Sequence, residues 1–361
     1  MTLLRDDQGL SDPFVQPAYA PPRAAATSAG KRILIVTDAW HPAVNGVVRT
    51  IESLKPELQA LGHQVAVIGT DRFFTLPLPS YPEIRLAVKA GTRLTAMIEA
   101  FNPEAIHIAT EGPLGLAARR YCLARRKPFT TAFHTRFPEY VASRLPVPLA
   151  WSYAALRRFH GPSSAVMVAT PTLERALRSR GFARLSLWTR GVDTDLFRPR
   201  DKSYLEGPRP IALYVGRVAV EKNIEAFLRL ELPGSKYVVG DGPQQAALKR
   251  RHPQARFIGY KHGEELARCY AAADVLVFPS RTDTFGLVLL ESLACGVPVA
   301  AYPVPGPLDV IGRSPVGCLH EDLGEAVRNA LAIPAEPCRA HALGFSWRAS
   351  ARQFANIATA V

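Results

Sequence analysis

Cysteine is scarce in this 361-residue chain, and the five present, at 122, 269, 295, 318 and 338, are widely dispersed. Their odd number and the lack of any C-x-x-C pair indicate neither a zinc site nor a disulfide framework, so a reduced, cytoplasmic setting fits. Long apolar runs are missing too. No stretch approaches the ~18 residues of a membrane span, and the N-terminus lacks the apolar core of a signal peptide. The chain is therefore expected to be soluble, or peripheral to the inner face of a membrane. The G-x-G-x-x-G fingerprint of nicotinamide-binding proteins does not follow the first strand pattern at 33–36, which counts against a dehydrogenase. No pair of acids is disposed as nucleophile and general acid in the manner of glycosidases, and no nucleic-acid motif is recognisable.

Hydrophobic residues make up 48% of the chain. That is ample for real cores, and the length sets a prior of roughly two to three domains. Residues 1–30 carry Pro13, Pro17, Pro21, Pro22 and an Ala/Ser run without apolar periodicity, the composition of a disordered leader. From Lys31 short apolar strands at 33–36, 65–68, 105–108, 129–133, 166–169 and 185–188 alternate with helical patterns. A second series runs through 211–215, 236–239, 256–258, 275–278 and 298–301. Repeated β-then-α predicts an α/β chain with parallel sheets wound on both faces, in two Rossmann-like halves. The polar, proline-bearing stretch from Asp193 to Lys202 puts the boundary near residue 200. Expected units are thus 1–30, 31–200, 201–340 and a final helical segment 341–361. Ligands of such sheets sit beyond the carboxyl ends of the strands, so two facing sheets make one cleft.

The richest segment runs from Asp274 to Ala300. An apolar strand ends at Pro279-Ser280, and Phe285-Gly286-Leu287 opens a predicted amphipathic helix whose first amides hold phosphate or sugar oxygens. Asp283 precedes that helix and Glu291 lies about two turns into it, placing one carboxylate for a hexose ring and the other for a ribose diol. An ordinary strand-to-helix unit with solvated acids is the plainer alternative. Val215-Gly216-Arg217 with Lys222 sets two cations at another strand's carboxyl end, suited to a diphosphate leaving group, unless Arg217 merely pairs with Glu221 or Glu225. Gly240-Asp241-Gly242-Pro243 forms a glycine turn after the next strand. In the first half, Gly46 opens a helix to close approach, or Asn45-Gly46 is a simple turn.

Together these residues resemble the retaining, nucleotide-sugar-dependent glycosyltransferases of the GT-B fold, in family 4, also called group 1. The resemblance spans about residues 31–360 and rests on Gly216-Arg217 with Lys222, Gly240-Asp-Gly-Pro, Pro279-Ser-x-x-Asp283-x-Phe285-Gly286-Leu287 with Glu291, and Gly296-x-Pro298. It implies that Arg217 and Lys222 bind the diphosphate, Glu291 the ribose, and Asp283 with the Phe285–Leu287 backbone the transferred sugar, while Gly46 nears the phosphates from the other half. His134, after the strand at 129–133, is implied beside the donor sugar, although a lone histidine is more often structural. Also implied are a same-face substitution in which the departing phosphate oxygen takes the acceptor proton, no metal, no cofactor beyond the nucleotide sugar, and a last helix around Phe345–Phe354 crossing back to the first half. Asp283 departs from the Glu usual at its position. Thr282-Asp283-Thr284 with His134-Thr-Arg136-Phe-Pro138-Glu-Tyr140 looks most like bacterial sulfoquinovosyl-, glucosyl- or glucuronosyl-diacylglycerol synthases and lipid mannosyltransferases.

Charge is uneven. Residues 1–200 carry 26 Lys and Arg against 15 Asp and Glu, and residues 201–361 carry 18 against 16. Arg119, Arg120, Arg125, Arg126 and Lys127 fall on one predicted helix, and Arg157, Arg158, Arg175, Arg178 and Arg180 on two more. Such clusters suit an anionic membrane surface or remain a solvated face. Trp151 and Tyr153 with Arg157 and Arg158, in the stretch 146–159, make either a lipid-facing belt or a helix packing aromatics on the core. The expected partners are a nucleotide sugar of the UDP-glucose or UDP-glucuronate type and a lipid acceptor such as diacylglycerol. The alternatives are GDP-mannose, a soluble glycan, or a catalytically inactive nucleic-acid- or polyanion-binding protein.

Overall fold

The computed structural model describes residues 30–43, 45–78, 81–142 and 147–360. The leader expected over 1–30 therefore lies, up to residue 29, outside the described residues. The first half builds β1 (Arg32–Val36), β2 (Gln64–Ile68), β3 (Thr75–Leu78), β4 (Tyr81–Ala87), β5 (Ala105–Ile108), β6 (Thr130–Phe133), β7 (Ala165–Val168) and β8 (Leu185–Leu187). The second builds β9 (Ile211–Val215), β10 (Ser235–Val239), β11 (Arg256–Phe257), β12 (Val275–Phe278), β13 (Val299–Ala301) and β14 (Gly317–Leu319).

Two six-stranded parallel sheets result, ordered β2-β1-β5-β6-β7-β8 and β11-β10-β9-β12-β13-β14. Each reverses strand order once, beside β1 and beside β9, and the crevice at such a reversal is where ligands of open α/β sheets bind. The strands read as continuous apolar runs because both faces are covered. Ile33 and Ile35 of β1 pack into one cluster with Ile51, Leu54 and Trp188, while Leu34 and Val36 pack into another with Leu94, Ile98 and Leu114. In the second half Leu276 and Phe278 face one cluster and Val275 and Val277 the opposite one.

Three features differ from the sequence expectation. An antiparallel pair, β3 and β4, stands apart from the large sheets; Pro77, Pro79 and Pro82 break its apolar alternation, which hides it. The three-residue β14 was too short to register. The helix Leu287–Ala294 is not amphipathic: every residue from Leu289 to Ala294 is buried. It starts one residue after Gly286, so Glu291 sits just past its first turn rather than two turns in.

The C-terminal helix Trp347–Thr359 returns to the first half. Its Ala351, Phe354, Ala355 and Ala358 join the cluster of Ile33, Ile35 and Trp188. Gln353 Oε1 accepts from Thr189 N–H at 3.0 Å, Trp188 Nε1–H donates to Ser350 Oγ at 3.0 Å, and Lys31 Nζ donates to the Thr359 carbonyl at 2.9 Å.

Candidate active site

On the second half, close backbone contact shapes the carboxyl ends of β9 and β10. Gly240 adopts φ +135°, and a Cβ there would lie 1.9 Å from the Gly216 carbonyl oxygen, so a side chain at 240 would force the strand ends apart. Gly216 N–H donates to Val239 O at 3.0 Å, fixing the loop that carries Arg217 and Lys222. Arg217 Nη1 lies 3.3 Å from Glu221 Oε1, one of the two pairings the sequence left open. Glu225, the other candidate, instead meets Arg229 and Arg251. Lys222 is ion-paired with Asp283 across the crevice, and Asp283 Oδ2 is buried without a hydrogen-bond partner among the described residues. Beyond it Phe285 is buried, and Gly286 caps the helix start in the left-handed region at φ +86°, with no side chain on the first amides.

Glu291 is 6% exposed and both its oxygens are engaged. Tyr270 O–H donates to Oε2 at 2.7 Å, and Arg49 Nη1 from the first half donates to Oε1 at 3.0 Å. Burial and the Glu291 charge hold the Tyr270 phenol well above its ordinary pKa, so it remains a donor. Arg49 lies on the helix Gly46–Ala60, whose start is capped by Asn45: Oδ1 accepts from Val47 N–H at 2.9 Å and Val48 N–H at 3.1 Å. The amides beside Gly46 are thus already partly satisfied, and among the described residues nothing lies within 4 Å of a Cβ built at Gly46.

His134 follows β6 as expected, and its backbone meets the second half at the crevice. Thr284 Oγ1 donates to the His134 carbonyl at 2.7 Å, joining the two halves beside Asp283. The His134 Nδ1 lies 3.3 Å from Arg190 Nη2, and the Nε2 is buried without a partner among the described residues. Burial first, then the charge of Arg190, holds the ring neutral. A cavity of about 490 Å³ opens from Glu291 between the halves, walled by Arg49, His41, Glu52, Tyr260, His262 and Trp347 among others. Tyr260 and His262 stack with centroids 6.0 Å apart. Glu291 and Leu287 line this cavity; Arg217, Lys222, Asp283 and His134 do not. Asp283 pairs with Lys222, and Thr284 joins the His134 carbonyl, on the neighbouring stretch of the crevice.

Two family models match the chain, Glycosyltransferase Family 4 over residues 44–196 and Glycosyl transferases group 1 over residues 209–333. A GDP-mannose-dependent alpha-mannosyltransferase of Corynebacterium glutamicum is 30% identical over 314 residues, covering 80% of this chain and 76% of that protein. The chain belongs to glycosyltransferase family 4. This glycosyltransferase is also similar to the sulfoquinovosyl transferase SQD2 of Arabidopsis thaliana, 28% identical over 346 residues, with 86% of this chain and 66% of that protein covered. An alpha-monoglucosyldiacylglycerol synthase of Streptococcus pneumoniae is 26% identical over 344 residues, with 83% and 78% covered. The fold is that of Anabaena HepE in complex with UDP and glucose, TM-score 0.68 at 16% identity, covering 92% of this chain and 100% of that one. Sucrose-phosphate synthase from Thermosynechococcus elongatus shares it at TM-score 0.69, with 21% identity and 90% and 98% covered. The enzyme is therefore a nucleotide-sugar-dependent transferase of the retaining family 4 type with a GT-B fold.

The basic clusters of the glycosyltransferase's first half divide. Arg119 donates from Nε to the Phe159 carbonyl at 2.9 Å and from Nη2 to the Arg158 carbonyl at 2.9 Å. It caps the last turn of the helix Leu149–His160 and is a structural cation. The helix bearing it, Pro113–Ala124, ends before Arg125 and Arg126, so these two lie past its end rather than on it. Arg125 pairs with Glu99 at 2.8 Å, and Arg120 and Arg126 are exposed. On Leu149–His160 the two readings of the aromatics separate by residue. Tyr153 is 5% exposed, donates to Glu139 Oε1 at 2.7 Å and packs with Phe182, so it belongs to the core. Trp151 is 72% exposed on the same helix as the exposed Arg157 and Arg158. Pro146, at the start of that stretch, lies outside the described residues. The sequence reading missed Arg49, Tyr270 and Arg190; Arg49 and Glu291 are 242 positions apart, and Arg190 meets His134 from 56 positions away.

Proposed function

We propose that the enzyme moves a hexose or uronate from a UDP-glucose or UDP-glucuronate type donor to a membrane lipid such as diacylglycerol, with retention. Arg217 and Lys222 take the diphosphate, Glu291 the ribose diol, and Asp283 with the amides at Phe285–Leu287 the sugar. On binding, the diphosphate draws Arg217 from Glu221 and Lys222 from Asp283, and the ribose replaces Arg49 on Glu291. The bond from the anomeric carbon to the phosphate oxygen breaks as the acceptor oxygen bonds to that carbon on the same face. The acceptor proton passes to the departing phosphate oxygen, whose growing charge the two cations stabilise.

The observation that carries the lipid reading is the exposed Trp151 with Arg157 and Arg158 on one helix of the basic half. Aromatic and cationic side chains side by side suit an anionic bilayer surface. The diacylglycerol named in the pneumococcal relative agrees with it. Among the described residues no helix is long and apolar enough to cross a membrane, so the enzyme would meet its lipid from the surface. A second reading, transfer of mannose from GDP-mannose, is favoured by the Corynebacterium relative. The test is product mass after incubating purified enzyme with UDP-glucose, UDP-glucuronate or GDP-mannose and anionic liposomes with and without diacylglycerol. A glycosylated diacylglycerol from a UDP-sugar is the expected result. A mannosylated product from GDP-mannose alone would establish the second reading, and donor turnover without any lipid product would overturn the lipid acceptor.

A further inference from the structure

Among the described residues, Arg190 is a buried cation without a carboxylate partner. It is 5% exposed, and among the described residues no Asp or Glu lies within ion-pair distance of it. Its guanidinium donates to the Trp188 carbonyl at 2.6 Å and the Thr189 carbonyl at 3.3 Å, and it stacks over the Trp188 ring at 4.0 Å. The remaining contact runs from Nη2 to His134 Nδ1 at 3.3 Å. A buried charge held by carbonyls and one imidazole is costly, so this arrangement calls for a use beyond filling space.

We propose that Arg190 is a positioning residue that fixes His134 as the neutral tautomer protonated at Nε2, aiming that N–H at an oxygen of the bound donor or acceptor. A guanidinium has only donors to offer, so the nitrogen facing it must be bare, and a neutral imidazole with a bare Nδ1 carries its proton on Nε2. The Nε2 atom is buried and has no hydrogen-bond partner among the described residues, so its N–H is left uncommitted. Trp188 meets the ring edge-on, centroids 5.8 Å apart, and the Thr284 hydroxyl holds the His134 carbonyl, so ring and backbone are both fixed. The grip extends to the C-terminal helix: Ser350 Oγ donates to the Thr189 carbonyl at 2.7 Å and accepts from Trp188 Nε1–H, and Gln353 Oε1 accepts from the Thr189 hydroxyl at 2.9 Å. The helix that crosses back between the halves thus sets the protonation pattern of a side chain in the cleft.

The use of the Nε2–H in transfer rests on the proposed function; the tautomer does not. The test is nitrogen-15 NMR of histidine-labelled full-length enzyme, with the His134 signal identified by its loss in His134→Gln. Wild-type protein is expected to show Nε2 protonated and Nδ1 bare. In Arg190→Met the ring should become a mixture of tautomers, and kcat for donor turnover should fall roughly tenfold to a hundredfold with little change in KM, the penalty of mis-setting a group one contact from the reacting atoms. Arg190→Lys, which keeps a donor, should restore the Nε2–H signal and most of kcat. A proton on Nδ1 in the wild type, or an Arg190→Met enzyme with wild-type tautomer and kcat, would overturn the proposal. Should Arg190→Met not fold, the wild-type and Arg190→Lys spectra still decide it. If His134→Gln turns over donor at the wild-type rate while the wild type shows Nε2–H, the tautomer assignment stands and the ring's role in transfer falls.

Discussion

Each acid of the proposed donor site already holds a partner. Glu291 is shared by Arg49 and Tyr270, Asp283 by Lys222, and Glu221 by Arg217. The site therefore stores its charges as internal pairs, and under the proposed function a nucleotide sugar would enter by exchange rather than by filling bare charge. Burial makes the exchange possible: a carboxylate at 6% exposure cannot lose Arg49 to water cheaply, but it can lose it to a ribose diol. Replacing Glu291 with Gln keeps the shape, removes the charge and should cut donor kcat/KM by about a hundredfold, with the Tm changed little. Arg49→Ala should do the opposite to binding and tighten UDP by about tenfold in calorimetric titration, a release of about 1.4 kcal/mol of competition. Weaker UDP binding in Arg49→Ala would show that Arg49 helps to hold the nucleotide. The sequence motif exposed Asp283, Glu291, Arg217 and Lys222 because each lies at a strand end or helix start of its own half. It did not expose Arg49, whose contact comes from across the cleft, or Arg190, whose contact with His134 comes from another strand end of the same half, since local spacing carries no trace of either.

At the level of elements, the strands were legible because both faces of each sheet are covered, turning β1 or β12 into an uninterrupted apolar run. The same burial misled for the helix Leu287–Ala294, whose apolar residues are set by enclosure on every side rather than by a single core-facing stripe. The helix Trp347–Thr359 was expected to cross back, and its chemistry explains why it stays: Phe354 is fully buried and packs on Trp188 and His107, with centroids 5.0 and 4.9 Å apart. Phe354→Ala should cost about 3–5 kcal/mol by urea unfolding, and the loss should appear in the first half although the residue lies at the other end of the chain. An unchanged midpoint would mean that the crossing helix is an accessory. On the helix Leu149–His160, Trp151→Ala combined with Arg157→Glu and Arg158→Glu should weaken sedimentation with anionic vesicles while leaving donor turnover in solution intact. Equal vesicle binding by this variant would remove the helix from the docking surface.

For the molecule as a whole, two parallel sheets facing across a cleft concentrate strand ends, helix starts and buried polar groups along one seam, and this concentration has a stability consequence. His107 lies in β5, with Nδ1 2.9 Å from Thr130 Oγ1 and Nε2 without a partner among the described residues, and burial first, then Arg190, pushes its pKa down to about 3. The unfolded chain binds this proton below about 6.5 and the folded protein does not, so stability is full above that value and falls as pH drops toward 3, at about 1.4 kcal/mol per pH unit from this group. Denaturation midpoints at pH 7 and pH 5 should therefore differ less in His107→Gln than in the wild type, and equal differences would refute the assignment. Two-fold repetition of β-then-α made the overall architecture readable from the sequence, but the closeness of the halves was not, because it rests on single contacts such as Thr172 with Asp309 at 2.8 Å and Thr284 with His134. The proposed transfer depends on a nucleoside diphosphate sitting on Arg217, Lys222 and Glu291. Calorimetric titration of UDP and of GDP into the wild type and Glu291→Gln tests it most directly. One site per chain, weakened at least tenfold by Glu291→Gln, is the predicted result; binding that is indifferent to Glu291 would contradict it.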